Sequence, residues 1–190
     1  VCPSSFGAPP LATGDDLELI DAIKADLSDD QCLDDDHVFV TGFSMGGYFS
    51  HHAGCMRDDI RGIAPHSGGT HDLSSCVSQK KPIVIFHGLS DGIIPAGCND
   101  PSATPVPGVV PAATAWAQRN GCDLTTTTTA VTGGTCKLYD NCPAGGQVQL
   151  CTFTGMGHCW AGGPSAAGFG CPTYADATAI EWQFWKQHAW

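Results

Sequence analysis

The feature that most constrains this chain is the motif Gly-Phe-Ser-Met-Gly at residues 42–46, which follows the apolar, β-branched run 37–40 after one threonine. In a G-x-S-x-G turn, the chain leaves a strand and enters a helix through a sharp reversal that exposes the serine hydroxyl at a strained apex. The two glycines carry no Cβ, so neighbouring backbone is able to approach closely. The motif therefore predicts that Ser44 is a nucleophile and that the backbone N–H of Met45 donates a hydrogen bond to an oxyanion.

A serine hydroxyl needs a general base, and that base needs a carboxylate to hold its tautomer. Asp91 follows the apolar run 82–87, where an open α/β sheet gathers its site residues. His158 lies in the glycine-rich stretch 154–160. The order serine, acid, histidine is that of α/β-hydrolases and differs from the chymotrypsin and subtilisin orders. We therefore predict a triad of Ser44, Asp91 and His158.

Each triad residue also has a plain structural interpretation. Asp91 is suited to capping a Ser-Asp-Gly turn, and a single histidine is more often structural than catalytic. His87 is a rival base, but its place at the end of a predicted strand holds it too rigidly and too deeply for that role. The combination of three matches in the correct order favours the triad.

Apolar periodicity predicts alternating strands and helices. Residues 15–27 form a predicted amphipathic helix, and residues 125–129, five threonines, favour extended structure. Residues 1–14 are expected to be an irregular arm. The pattern predicts an α/β fold with a mostly parallel sheet of about four strands and helices on both faces. The other predicted helices are 48–56, 112–119 and 175–190, and the predicted strands are 37–40, 60–64, 82–87 and 147–153.

Composition limits the classes of function. With 190 residues and 42% hydrophobic residues, the chain is long enough for one sizeable core. Its formal net charge of −11 disfavours nucleic acid or an anionic membrane as the main partner. No apolar run is long enough to span a bilayer. Since the chain begins at Val1 without a leader-like segment, we expect that a signal peptide has been removed.

Eleven cysteines predict an oxidising compartment and hence a secreted protein. Zinc is the alternative, but the chain has no C-x-x-C pair. The odd count leaves one sulfur without an internal partner. Connectivity is open, although Cys159–Cys171 and Cys136–Cys142 would each close a short loop. The acidic cluster at 29–36 lacks an EF-hand pattern and is read as a solvated turn, so no metal site is predicted.

Several segments together resemble the secreted polyhydroxybutyrate depolymerase and feruloyl esterase group, the esterases of carbohydrate esterase family one. The resemblance implies an α/β-hydrolase fold with Ser44 as nucleophile, Asp91 as acid and His158 as base. It also implies hydrolysis of esters in feruloylated or acetylated plant polysaccharide, or in polyhydroxyalkanoate, without a metal or organic cofactor. The matching segments are 15–27, 32–34, 40–47, 85–91, 120–122, 155–160 and 182–185.

The chain departs from this group at its front. Relatives have several strands before the helix at residue 15, including the loop that supplies the second oxyanion donor. The resemblance thus implies that 15–190 is the C-terminal part of a single catalytic domain. The strand ending at Thr41 would then be an open sheet edge, a template for another chain. A fragment, a cleaved protein with a second attached peptide and a neighbouring copy at the edge all stay open.

Two further hypotheses concern function. The aromatic residues Phe43, Tyr48 and Trp160 flank the predicted site and are candidate substrate-binding residues, although aromatic residues at such places are more often core. A non-catalytic structural or assembly subunit, joined through its strand edge, is the alternative to an esterase. An intact triad favours the enzyme, and the missing strands favour assembly.

Overall fold

The computed structural model describes residues 14–70, 73–97 and 108–190. The predicted irregular arm therefore lies, apart from Gly14, outside the described residues. The described chain alternates helices and strands as expected for an α/β fold. In chain order the elements are α1 (Gly14–Asp30), β1 (Val38–Phe43), α2 (Met45–Met56), β2 (Ile60–His66), β3 (Ile83–Gly88), α3 (Val109–Asn120), β4 (Thr126–Val131), β5 (Gly134–Tyr139), β6 (Val148–Phe153), β7 (Trp160–Ala161), β8 (Gly170–Cys171) and α4 (Ala177–His188).

Within the described residues, the main sheet has six strands in the order β1-β2-β3-β6-β5-β4. Strands β1, β2, β3 and β6 run parallel, whereas β5 is antiparallel to β6 and β4 is antiparallel to β5. Strands β3 and β6 stay in register from Ile83 opposite Val148 to Gly88 opposite Phe153. Because the four parallel strands end at the same edge of the sheet, the loops that follow them meet there.

The sheet separates two apolar clusters, as the alternation of side chains along β3 requires. Ile83 and Ile85 belong to the cluster that also contains Trp116 of α3. Val84 and Phe86 point to the other face, where they pack in the cluster that contains Phe184 of α4. All four β3 side chains are essentially inaccessible to solvent, which explains why the strand is apolar on both faces.

Helix α1 differs from the amphipathic helix predicted at 15–27. Of its apolar residues, Ile20 packs against the core, but a stripe along the helix is left in solvent. The contacts of α1 with the domain include ion pairs from Asp21 to Arg57 and from Lys24 to Asp59. The exposed stripe comprises Leu19 (58% exposed), Ile23 (50%) and Leu27 (43%).

In the described parts of the chain, no helix is both long and apolar enough to cross a membrane.

The expected count of about four strands in the sheet was wrong, because a hairpin extends it. The threonine run forms most of β4, which pairs with β5, a strand that the sequence analysis missed. Register places Val131 opposite Gly134, so Thr132 and Gly133 alone make the turn. Gly133 has φ +78°, a conformation that glycine adopts without the penalty of a Cβ.

Four disulfides join the described residues. Cys159–Cys171 is confirmed, but the predicted Cys136–Cys142 pair is wrong. Cys136 instead bonds Cys151, since these two residues face each other across β5 and β6. Cys142 bonds Cys122, and the remaining disulfide joins Cys55 to Cys76. Among the described cysteines, Cys32 is free and exposed.

Candidate active site

Ser44 lies alone between the end of β1 and the start of α2. Its backbone has φ 57° and ψ −114°, a strained conformation for a residue with a side chain. The Ser44 N–H donates to the carbonyl oxygen of His66 at the end of β2, with N and O 2.9 Å apart. The reversal between strand and helix is therefore as sharp as the motif predicts, and the neighbouring strand holds it in place.

The two motif glycines are not equivalent. A Cβ on Gly42 would lie 2.4 Å from the carbonyl oxygen of Gly46, so this position requires glycine. A Cβ on Gly46 would meet no atom within 4 Å. The adjacent Gly47 is the second tight position, because its Cβ would lie 2.7 Å from the carbonyl oxygen of His66. Close packing of the elbow thus depends on Gly42 and Gly47.

The structure brings Ser44, His158 and Asp91 into one hydrogen-bonded chain. His158 Nε2 lies 2.9 Å from Ser44 Oγ, and His158 Nδ1 lies 2.7 Å from Asp91 Oδ2. The other Asp91 oxygen accepts the N–H groups of Ile93 and Ile94, each at 2.9 Å. A carboxylate at Nδ1 fixes the proton there and leaves Nε2 free to accept a proton from the serine.

Met45 is the first residue of α2. The first N–H groups of a helix have no acceptor within the helix, and they carry the positive end of its dipole. The Met45 N–H therefore has the character required of an oxyanion donor beside Ser44. The Met45 side chain is 63% exposed, so no core packing ties it down.

His87, the rival base, is buried at the end of β3. Its Nε2–H donates to the carbonyl oxygen of Ile94 at 2.7 Å and lies 3.6 Å from Asp91 Oδ2. Burial lowers the pKa of the His87 imidazole and thereby favours the neutral ring. The ring thus braces the loop that carries Asp91.

A cavity of about 520 Å³ adjoins the triad. The Phe43 ring stands between the two, with its centroid 4.7 Å from that of His158 and 5.7 Å from that of Phe169. Trp160, two residues after His158, forms another part of the wall. Of the predicted substrate-binding residues, Phe43 and Trp160 are in this wall.

Tyr48 is near the site, since burial and the Asp91 carboxylate both raise the pKa of its phenol, but it does not line this cavity. It is 8% exposed. Its burial raises the pKa of the phenol to about 12, against the opposing effect of a hydrogen bond with the backbone of Gly69. Tyr48 falls on the packed side of α2, and nothing in the five-residue motif distinguishes that side from the exposed one.

The cavity wall also contains residues that sequence analysis did not identify: Gly162, Gly163, Pro164, Phe169, Gly170, Asp176 and Thr178. Most belong to the loop closed by the Cys159–Cys171 disulfide. The predicted disulfide was the only sequence signal that this loop returns to the site. In the described parts of the chain, no cluster of three or more His, Cys, Asp or Glu side chains is arranged to hold a metal ion.

A parallel sheet with a serine elbow and histidine and acid loops at its carboxyl edge defines an α/β-hydrolase fold. Solved structures with this architecture resemble the chain. Acetyl xylan esterase from Aspergillus awamori has a TM-score of 0.57 at 15% identity, with 75% of this chain and 61% of that chain covered. Esterase PE8 has a TM-score of 0.53 at 17% identity, with 90% of this chain and 59% of that chain covered.

Sequence relatives are feruloyl esterases, in agreement with the resemblance noted above. Feruloyl esterase C of Emericella nidulans is 31% identical over 181 residues, which cover 90% of this chain and 57% of the relative. Feruloyl esterase B of Piromyces equi is 28% identical over 163 residues, 79% of this chain and 30% of the relative. The chain thus spans little more than half, or less, of the length of these relatives. No protein-family model matches the chain.

Proposed function

We propose that the protein is a serine ester hydrolase that works through an acyl-enzyme intermediate. The observation that carries the proposal is the hydrogen-bonded chain from Ser44 Oγ through His158 to Asp91, at 2.9 Å and 2.7 Å, on a strained elbow. Ser44 Oγ attacks the ester carbonyl carbon while its proton passes to His158 Nε2. Asp91 stabilises the resulting imidazolium, and the Met45 N–H donates to the oxyanion.

Collapse of the tetrahedral intermediate breaks the ester C–O bond. His158 then delivers its proton to the departing alcohol, and the acyl group stays on Ser44. Water then attacks the acyl carbon while one of its protons passes to His158 Nε2. Collapse of this second intermediate breaks the acyl C–Oγ bond, His158 returns the proton to Ser44 Oγ, and the acid leaves. These steps use only side chains and backbone groups of the chain, so the proposal requires no metal or organic cofactor.

The proposed substrates are feruloyl or acetyl esters of polysaccharide. The names of the sequence relatives support the feruloyl ester, and the aromatic walls Phe43, Trp160 and Phe169 suit a planar acyl ring. The aliphatic acyl units of a polyhydroxyalkanoate are the alternative within the same chemistry, since the wall is mainly apolar. The formal charge of −11 suits a neutral polymer better than an anionic one.

We propose that the protein is secreted. Four disulfides join eight cysteines of the described chain, and such a density is typical of proteins that fold in an oxidising compartment. The family resemblance described above also implies secretion, since the esterases of that group are secreted.

We also propose that β1 pairs with a further strand, from a second peptide or a neighbouring copy. Among the strands that the structure describes, β1 stands at the edge of the sheet, and the stripe Leu19, Ile23 and Leu27 on α1 is exposed. An exposed apolar edge is a template for pairing. With a second peptide at this edge, residues 15–190 would form the C-terminal part of one catalytic domain. The same edge supports the second candidate function, a non-catalytic subunit that assembles through β1.

Turnover of p-nitrophenyl acetate and methyl ferulate by the native protein and by Ser44→Ala tests the proposal. We expect hydrolysis by the native protein and its loss in the variant. Intact mass before and after reduction tests the second peptide, and size-exclusion chromatography tests the neighbouring copy. An absence of Ser44-dependent turnover, together with self-association, would overturn the esterase in favour of assembly.

A further inference from the structure

A buried acid–histidine pair lies behind the site and plays no part in the proposed mechanism. His66 Nε2 is 2.8 Å from Glu181 Oε2, and the two side chains are 2% and 4% exposed. The Thr41 hydroxyl lies 3.1 Å from the same carboxylate oxygen. A buried carboxylate is costly unless hydrogen bonds satisfy it, so the position of Glu181 needs a reason.

The protonation of His66 follows from its surroundings. Burial lowers the pKa of the imidazole, although the Glu181 carboxylate opposes that shift. Its Nδ1 is buried without a hydrogen-bond partner in the described chain. A neutral ring that donates Nε2–H to Glu181 satisfies both observations. The direction of this hydrogen bond fixes the plane of the His66 ring.

The His66 ring stacks face to face on Trp160 in the cavity wall. The His66 ring lies between Phe86, at a centroid distance of 4.4 Å, and Trp160, at 3.6 Å with an interplanar angle of 10°. The indole N–H of Trp160 donates to Thr178 Oγ1 at 3.1 Å. Thr178 and Glu181 lie three residues apart on α4, so this helix contacts Trp160 directly through Thr178 and indirectly through Glu181 and His66.

We propose that Glu181 and His66 are positioning residues that fix the orientation of Trp160 and thereby set the preference of the site for acyl groups that fill the cavity. This inference rests on the proposed esterase function and specifies its acyl selectivity. The backbone of His66, not its ring, accepts the Ser44 N–H. Loss of the ring contact therefore changes the cavity wall more than the nucleophile.

The test compares p-nitrophenyl acetate with p-nitrophenyl ferulate, which share a leaving group and differ in the acyl group. Glu181→Leu removes the acceptor for His66 but keeps similar bulk. We expect the ratio of kcat/KM for ferulate to that for acetate to fall at least fivefold, mainly through KM for ferulate. Glu181→Gln, which keeps a side-chain oxygen as acceptor, should restore the ratio to within twofold of the native value.

A double-mutant cycle separates positioning from general damage. Trp160→Ala should lower the ratio on its own, and Glu181→Leu added to Trp160→Ala should lower it no further. Ser78→Ala is the matched control, because it removes one buried hydrogen bond, 2.7 Å to the Gly54 carbonyl oxygen, away from Trp160. The control should reduce stability without changing the ratio.

If Glu181→Leu fails to fold, Glu181→Met, which also removes the carboxylate that accepts from His66, tests the same claim and should lower the ratio in the same direction. Thr178→Val removes the direct bond of α4 to Trp160 and tests whether the orientation of Trp160 sets the preference. Quenching of indole fluorescence by ferulic acid gives a readout that does not depend on turnover. An unchanged ratio and unchanged ferulic acid binding in the folded variants, or multiplicative effects in the cycle, would overturn the inference. If the native protein hydrolyses neither ester, the proposed function is overturned instead. The binding of ferulic acid, measured by fluorescence quenching, then still decides the inference.

Discussion

The clearest prediction concerns Gly88, the last residue of β3, which packs beneath the loop that carries His158. A Cβ at this position would lie 2.3 Å from the carbonyl oxygen of Met156 and 2.5 Å from that of Gly157. Cβ atoms in real structures essentially never come within 3.0 Å of a heavy atom outside their own residue and its two chain neighbours. In Gly88→Ala the loop backbone must therefore move by at least about 0.7 Å, the difference between 2.3 Å and 3.0 Å.

This displacement reaches His158 directly, since His158 follows Gly157 in the chain. Its ring makes hydrogen bonds of 2.9 Å to Ser44 and 2.7 Å to Asp91, and one shift of the loop lengthens at least one of them. A misplacement of this size lowers kcat by about 10²-fold. We expect KM for p-nitrophenyl acetate to change much less, because the small acyl group makes few contacts.

The assay is the steady-state hydrolysis of p-nitrophenyl acetate, with thermal unfolding followed by circular dichroism on the same samples. Gly92→Ala is the matched control in the neighbouring Asp91 turn, because its Cβ would meet no atom within 4 Å. We expect this control to keep near-native kcat. A folded Gly88→Ala variant with more than a third of the native kcat would refute the claim that this contact positions His158.

Three further predictions rest on separate features of the structure. Gly42→Ala should abolish turnover while Gly46→Ala lowers it far less, because a Cβ clashes with backbone only at Gly42; equal loss of kcat in both would contradict this. Burial lowers the pKa of Lys81 to about 8, so the unfolded chain holds this proton more tightly than the folded chain. The free energy of unfolding should therefore rise with pH between 7.5 and 9.5, by about 2 kcal/mol relative to Lys81→Met. Parallel pH profiles from urea unfolding of the two proteins would contradict that. Replacing Cys159 and Cys171 by serine opens a loop of sequence separation 12 and should lower the free energy of unfolding by about 3 kcal/mol, measured by urea denaturation.

Much of the catalytic geometry was predictable from the sequence, because it depends on local signals. The motif around Ser44 encodes the elbow, and the placement of Asp91 and His158 after apolar runs puts both at the carboxyl edge of a parallel sheet. Parallel register then brings the loops together without further information. The three side chains accordingly meet in the structure at hydrogen-bond distance.

Contacts between distant segments were not predictable in the same way. Glu181 lies 115 residues from His66, and nothing in the helix that contains it marks one glutamate as buried. The Cys136–Cys142 prediction was wrong because short loops were favoured, whereas cross-strand register decides the pairing. Strand β5 escaped notice because its hairpin partner was read only as a threonine-rich segment.

The orientation of α1 shows a limit of periodicity. Apolar residues at helical spacing predict a buried face, but Leu19, Ile23 and Leu27 point into solvent, whereas Asp21 and Lys24 of α1 make ion pairs with the rest of the domain. The rotation of a helix about its axis depends on all of its contacts with neighbouring elements, ion pairs included. Its apolar residues therefore do not by themselves identify the packed face.

The measurement that tests the central claim most directly is the intact mass of the protein after a short incubation with p-nitrophenyl acetate and acid quenching. The account predicts one added acetyl group, located at Ser44 by peptide mapping and absent from Ser44→Ala. It also predicts that His158→Ala, which removes the base, accumulates little of this adduct. A Ser44→Ala variant that releases p-nitrophenol as fast as the native protein, or an acetyl adduct at another residue, would contradict the account.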